Sequence, residues 1–64
     1  MYYRIEEVVT RQGHFITLPG MHDTPASAFA ALRRERNNGG MRVAEYRAGW
    51  TAERVRTVSL MEVL

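Results

Sequence analysis

Cysteine is absent from this chain of 64 residues, and so is lysine. Without cysteine the chain can form no disulfide, and metal sites built on thiolate ligands are excluded. A chain of this length buries only about 60% of its surface on folding, so small domains often need a disulfide, a metal or a second subunit. With disulfides excluded, we expect self-association, most simply as a homodimer.

Long apolar runs are also missing. The first ten residues, MYYRIEEVVT, carry two glutamates and resemble neither a secretory signal nor a membrane span. We therefore expect a cytoplasmic protein with no membrane contact. The composition, 45% hydrophobic and 25% charged, is typical of folded domains and predicts one small α+β domain over residues 1–64.

Positive charge exceeds negative charge only slightly. Nine basic residues, all arginine, face seven acidic ones, and the net charge is +2. This balance is a weak signal for nucleic-acid binding. The exclusive use of arginine indicates either codon bias in a GC-rich genome or a need for planar, forked hydrogen-bond donors.

The first half of the chain predicts a β-hairpin followed by a helix. Residues 2–10 are rich in β-branched and aromatic types and predict a strand, with a bulge near Glu6 and Glu7 where the alternation fails. A turn ending at Gly13 leads to a second strand over residues 14–18.

The helix is predicted over residues 23–38. Asp23 or Thr24 can cap its first turn, and Pro25 suits the first helical position. Residues 37–40, NNGG, can close the far end because Asn and Gly tolerate positive φ.

Residues 41–49 and 53–64 predict two further strands, with a short helical turn over 51–54 as an alternative. The last strand is apolar on both faces, so one face needs a cover other than the helix. We expect this cover to be a second subunit or another partner, and the residues predicted for self-association are Met61, Val63 and Leu64.

The expected fold is therefore β-β-α-β-β, a four-stranded, mainly antiparallel sheet with one helix packed on one face. A single helix leaves much of such a sheet uncovered. We expect the open face and the sheet edges to carry the function.

Four arginines, Arg33, Arg34, Arg36 and Arg42, surround the NNGG segment. On a helical wheel the first three fan out, so they do not form one basic stripe. Cations in the last turn of a helix are favoured by its dipole. The cluster therefore indicates a helix end, with nucleic-acid contact as the alternative.

A second basic set is predicted on the strands. Arg54 and Arg56 face the helix if Val58 does, unless a bulge or register shift moves them to the open face. There they would join four other side chains: Tyr2, Arg4, Arg42 and Tyr46. Trp50, in the preceding turn, either packs over the core or is an exposed interaction anchor.

Motifs for catalysis or metal binding are lacking. His14 and His22 have no partner at a metal-ligand spacing, and Ser27 and Ser59 lie in no nucleophile elbow. We therefore expect no enzyme activity, no metal and no cofactor.

Residues 14–32, HFITLPGMHDTPASAFAAL, resemble the front part of HicB-type antitoxins. In that family a strand ends in Leu-Pro-Gly, here residues 18–20, and an Asp-Thr or Asp-Ser pair, here Asp23 and Thr24, caps an alanine-rich helix. This chain has only two residues between these landmarks, lacks the early helix glutamates and has no appended DNA-binding segment. The resemblance implies a protein-neutralising role.

The sequence thus predicts a non-catalytic regulatory or inhibitory module, antitoxin-like or phage-type, that binds another protein through its open sheet face. The predicted partner-binding residues are Tyr2, Arg4, Arg42, Tyr46, Trp50 and Arg56. The alternative is a small nucleic-acid-binding protein that uses Arg4, Arg33, Arg34, Arg42, Arg54 and Arg56.

Overall fold

The strands of the sheet come from both ends of the chain. The computed structural model describes residues 1–36 and 38–64. Their elements are β1 (Tyr2–Val8), β2 (Phe15–Thr17), α1 (Pro25–Leu32), a 3₁₀ helix (Asn38–Gly40), β3 (Met41–Arg47), β4 (Glu53–Val58) and a C-terminal 3₁₀ helix (Leu60–Val63). All neighbouring strands are antiparallel, in the order β2-β1-β3-β4. The predicted β-β-α-β-β fold is confirmed.

The first hairpin closes through a short polar turn. The Gly13 amide donates to the Thr10 carbonyl at 3.1 Å, and the His14 amide donates to Thr10 Oγ1 at 3.1 Å. Gly13 has a φ of 93°, which glycine adopts without a steric penalty. The turn at Gly13 is therefore where the sequence predicts it, although β2 is shorter than expected.

The bulge predicted at Glu6 and Glu7 is wrong. Both residues pair in continuous register, Glu6 with Arg42 and Glu7 with Met41. The apolar–polar alternation fails there because the carboxylate of Glu6 occupies a buried position in the sheet. Arginines pair with it at that position, so no bulge is needed to turn it towards solvent.

A register shift occurs instead in the pairing of β3 with β4. Glu45 lies opposite Arg56 and Tyr46 opposite Arg54, so Val55 is the extra residue on β4. The bulge changes the face to which Arg54 points and leaves Arg56 on the original face. Because β4 already begins at Glu53, the alternative of a helical turn over residues 51–54 is wrong.

The helix begins as predicted and ends early. Thr24 is the N-cap: its Oγ1 accepts from the Ser27 amide at 3.1 Å, and Pro25 occupies the first turn. The helix ends at Leu32, with Arg33 as its C-cap. Leu32 is the last large apolar residue able to pack on the sheet, and a short helix depends on such packing more than on propensity.

The sequence placed these arginines in the last turn of the helix, where the helix dipole favours cations. The structure places them after Leu32, beyond that turn. Arg33 caps it, and Arg34 and Arg36 lie in the turns that follow. The predicted closure of the helix by residues 37–40 is wrong, because the helix already ends at Leu32 and residues 38–40 form a separate 3₁₀ helix. Asn37 itself lies outside the described residues.

The core between α1 and the sheet is thin. Its centre consists of Ala28, Val43 and Val58, all buried, with Tyr3, Phe29 and Leu32 packed around it. The helix supplies only an alanine at the centre, so its backbone can lie close to the sheet. Burial of so little apolar surface predicts modest stability.

The last predicted strand is too long. It ends at Val58, and Ser59 caps the C-terminal 3₁₀ helix. Ser59 Oγ accepts from the Met61 amide at 3.2 Å, and Glu62 accepts from the Ser59 amide at 2.8 Å, which completes a capping box. The pattern Ser-x-x-Glu is a known helix-start signal. Met61, Val63 and Leu64 consequently lie on no strand.

Candidate functional site on the open face of the sheet

The face of the sheet opposite α1 carries no second layer within the part of the chain that the structure describes. We call this surface the open face. Strand alternation and the β4 bulge place on it Tyr2, Arg4, Glu6, Phe15, Arg42, Tyr46, Arg54 and Thr57. Arginine and aromatic side chains dominate it.

Glu6 lies at the centre of the open face, and its side chain is completely buried (0% exposed). Oε1 accepts from Arg42 Nε at 2.8 Å and from Arg54 Nη2 at 3.0 Å. Oε2 accepts from Arg54 Nε at 2.9 Å and from the Tyr46 hydroxyl. Three side chains from β3 and β4 therefore converge on one carboxylate of β1.

The two guanidinium groups are held further by neighbours on the same face. The Arg42 Cζ lies 4.9 Å from the centroid of the Phe15 ring, and the Arg54 Cζ lies 5.6 Å from it. Arg54 Nη2 also donates to Thr57 Oγ1 at 2.6 Å. Contact with the aromatic ring and hydrogen bonding together restrict the positions of both groups.

The cluster shifts the pKa values of its members in a consistent way. Burial raises the pKa of Glu6, but hydrogen bonds from Arg54, Tyr46 and Arg42 outweigh burial, and the net pKa is below the ordinary glutamate value. Burial and the bond to Glu6 raise the pKa of Tyr46 above that of a free tyrosine. The ionised carboxylate and the neutral phenol are therefore both stabilised.

Two further predicted partner-binding residues share the open face. The Tyr2 ring stacks on that of Tyr46, with centroids 5.6 Å apart and an interplanar angle of 17°. Arg4 Nη2 donates to the Leu18 carbonyl at 3.0 Å, whereas Arg4 Nε is buried and has no hydrogen-bond partner among the described residues. Tyr2, Arg4, Arg42 and Tyr46 are thus brought together on one surface, as predicted.

Arg56 is not on this surface, so the expectation that a register shift places it on the open face is wrong. It lies on the helix side, where its Nε donates to Glu45 Oε1 at 3.1 Å and its two Nη atoms bind Glu62 at 2.8 and 2.9 Å. Tyr3 donates its hydroxyl to the same Glu45 at 3.0 Å. The bulge at Val55 falls between Arg54 and Arg56 and so separates the two arginines.

Trp50 lies in the connection between β3 and β4, and its side chain is fully exposed. Of the two alternatives drawn from the sequence, packing over the core is therefore wrong, and the exposed position is the one observed. The indole lies beyond the ends of the two strands that carry Tyr46 and Arg54.

The remaining predicted residues lie elsewhere. Met61 and Leu64 are exposed at the C-terminus, by 75% and 81%, and Val63 is half-buried. Arg33 and Arg34 are exposed in the segment after α1 and take no part in the sheet face. The residues predicted for nucleic-acid contact therefore do not form one surface.

Groups that could support catalysis are sparse. His22 Nδ1 and Ser27 Oγ are 3.5 Å apart, an exposed and long contact. Residues 1–36 and 38–64 contain no cluster of three or more potential metal ligands, no pocket, and no helix long and apolar enough to cross a membrane.

Sequence reasoning overlooked Glu6 and Phe15 as members of the site. One signal for Glu6 was present, because it shares its strand parity with Tyr2 and Arg4. The convergence on it of Arg42 and Arg54 depends on strand order, which no local pattern encodes.

No protein-family model matches the chain, and neither a curated protein nor a solved structure matches it. Functional inference therefore depends on the geometry of the open face itself.

Proposed function

We propose that this protein is a non-catalytic binding module that regulates or inhibits another protein through its open face. The observation that carries the proposal is the convergence of fixed arginine and tyrosine side chains on that face, with the exposed Trp50 beside it. Arginine, tyrosine and tryptophan contribute most to binding at protein interfaces. Side chains that are already held in place lose little conformational entropy on binding.

An antitoxin-like or phage-type inhibitor acting in the cytoplasm is the specific form that we propose. The resemblance of residues 14–32 to HicB-type antitoxins supports it, and so does the Thr24 cap, which follows the Leu-Pro-Gly strand end. The role of such a module is to occupy a surface of its target, for which a sheet face suffices.

Nucleic-acid binding is the second candidate. The stacked Tyr2–Tyr46 pair beside arginines is the observation in its favour, since bases stack on aromatic rings of sheet faces. Two observations oppose it: Glu6 already neutralises part of the charge of Arg42 and Arg54, and Arg33 and Arg34 lie off the sheet.

A capture experiment tests the choice. We expect the wild-type chain, immobilised, to retain one stoichiometric protein from lysate of its natural host, and the Tyr2→Ala/Trp50→Ala variant to lose it. Ile16→Ala/Arg34→Ala is the matched control: Ile16 pairs with Glu7 on the helix side of the sheet, Arg34 lies in the segment after α1, and both are exposed. Retention by the double variant would contradict the proposal.

Gel retardation separates the two candidates. A nucleic-acid binder retards oligonucleotides with an affinity that falls steeply as salt rises. We expect no retardation at physiological salt, and salt-dependent retardation lost on Tyr2→Ala would favour the second candidate.

A further inference from the structure

The guanidinium groups of Arg42 and Arg54 keep donor capacity that the cluster does not use. Arg42 donates only its Nε to Glu6, and its Nη atoms have no hydrogen-bond partner among the described residues. Arg54 uses Nε and Nη2, which leaves Nη1. The two side chains are 30% and 29% exposed, so the unused N–H groups can be reached from solvent.

The two groups also lie side by side. Both donate to the same oxygen, Glu6 Oε1, and both lie over the ring of Phe15. Guanidinium N–H groups are the donors that a carboxylate accepts best, and here two such groups are held next to each other. The free energy of ordering these long side chains is already spent in the unbound protein.

The charge of the cluster selects the kind of ligand. Two guanidinium groups face a single carboxylate, so the excess is one positive charge, which one further carboxylate neutralises. A nucleic-acid backbone needs several cations in succession. Arg4 shares the open face but donates to the Leu18 carbonyl, and Arg33 and Arg34 lie off the sheet. Charge complementarity therefore favours an acidic side chain of a protein over a polyphosphate.

We propose that Arg42 and Arg54, held by Glu6 and Phe15, form a carboxylate-binding site, and that an aspartate or glutamate of the partner protein enters it. This proposal rests on the proposed function, because it specifies the chemistry of the partner surface that the open face recognises. Tyr46 and Tyr2 border the site and supply contact area around the charged pair.

Solution NMR of the labelled wild-type chain tests the site directly. The probe is an acetylated tetraglutamate amide, added at constant ionic strength, with the tetraglutamine peptide as the matched control. We expect saturable changes in the Cζ and Nη resonances of Arg42 and Arg54 with the glutamate peptide alone. The resonances of Arg33 and Arg34 should stay unchanged. Absence of saturable change at Arg42 and Arg54 would overturn the site.

Two variants sharpen the result. Arg42→Lys keeps the charge but removes the forked donors, and we expect it to weaken peptide binding at least fivefold. Arg34→Lys, the matched control, should leave binding unchanged. The amide spectrum of each variant shows whether it is folded, and the wild-type titration stands without them. Equal binding by Arg42→Lys would refute the paired-donor geometry.

The outcomes distinguish this site from the function on which it rests. If Tyr2→Ala/Trp50→Ala abolishes partner capture while the peptide causes no change, the carboxylate site is wrong and the binding face stands. If an oligonucleotide of the same charge shifts Arg42 and Arg54 and displaces the peptide, both proposals are wrong and the nucleic-acid candidate is favoured.

Discussion

The carboxylate of Glu6 is fully buried, although it lies on the side of the sheet that α1 leaves uncovered. Removing an ionised group from water costs several kcal/mol, and good hydrogen-bonding partners must offset that cost. Arg42, Arg54 and Tyr46 supply them, and all three lie on strands distant in sequence from β1. The integrity of the sheet and of the site therefore depend on the same contacts.

Neutralising Arg54 and neutralising Glu6 should lower the stability by unequal amounts. Arg54→Met leaves a buried carboxylate with one cation fewer, and we expect the free energy of unfolding to fall by about 3 kcal/mol. Glu6→Gln leaves guanidinium groups that can turn to water, and we expect a fall of about 1 to 2 kcal/mol. Urea unfolding followed by circular dichroism measures both.

Arg47→Ala is the control for these variants. Arg47 and Glu53 are exposed, and Arg47 Nη1 lies 3.9 Å from Glu53 Oε2. Such surface ion pairs contribute about 0 to 1 kcal/mol to the free energy of unfolding. An equal or larger effect of Glu6→Gln than of Arg54→Met would contradict the account of the buried charge.

The pKa shifts predict how stability depends on pH. The pKa of Glu6 is lower in the folded than in the unfolded chain, so its contribution is complete above the ordinary glutamate pKa and is lost as pH falls through the folded value. The pKa of Tyr46 is raised, so its contribution is present below the ordinary tyrosine pKa of 10.0 and is lost as pH rises through the folded value. We expect acid destabilisation to be smaller in Glu6→Gln.

Glu62 also has a lowered pKa, because Arg56 binds it, and it titrates in the same acid range. The comparison is therefore made in a Glu62→Gln background, by unfolding at a series of pH values. Parallel acid profiles with and without Glu6 would show that its carboxylate is not the group responsible.

Among the elements, the C-terminal 3₁₀ helix shows how side chains attach a short segment to a sheet. Four residues of 3₁₀ helix have little stability of their own. Glu62 both completes the capping box at Ser59 and forms a two-point bond with Arg56 of β4, which also binds Glu45 of β3. The segment is thus tied to two strands, and it also contacts α1.

Breaking this connection should loosen the segment selectively. We expect Arg56→Ala to speed hydrogen exchange at the amides of Met61 and Glu62, both within one turn of Ser59, while amides in the β1–β3 ladder keep their protection. Glu53→Gln, which alters an exposed pair on the same strand, serves as the control. Unchanged exchange at Met61 would indicate that packing on α1, and not the arginine, holds the segment.

The start of α1 was predictable and its end was not. A cap uses residues within one turn of each other, so Thr24 and Pro25 are visible in the sequence. The end depends on where apolar contact with the sheet ceases, at Leu32. The end of the final strand was predicted wrongly although a local signal for it was present. The capping residues Ser59 and Glu62 indicate a helix start, but the β-branched and apolar residues on both sides favoured a continuous strand.

The molecule as a whole has more exposed apolar side chains than its small core can cover. Met61 and Leu64 are among the most exposed, and Met1, Met21 and Trp50 are exposed as well. We propose that a second copy of the chain covers the C-terminal pair. The sequence argument for self-association assumed a strand there, and the exposure of these two side chains on a 3₁₀ segment and terminus now supports it.

Light scattering checks the proposed dimer. We expect the wild type to have twice the mass of one chain, and Met61→Asp/Leu64→Asp to have the mass of a single chain while its circular dichroism stays the same. Met21→Asp, at an exposed methionine outside the C-terminal segment, should remain dimeric. A wild type that is monomeric at millimolar concentration would contradict self-association.

The order of the elements, the turn at Gly13 and the capped start of α1 were determined by the sequence alone, because the interactions behind them span only a few residues. The composition of the open face was decided by the tertiary structure. Whether Arg54 or Arg56 joins Arg42 depends on a one-residue bulge. That bulge lets Arg54 reach the buried Glu6 on one side of the sheet and Arg56 reach Glu45 on the other. Such a choice balances contacts between strands far apart in the chain, and no local pattern contains it.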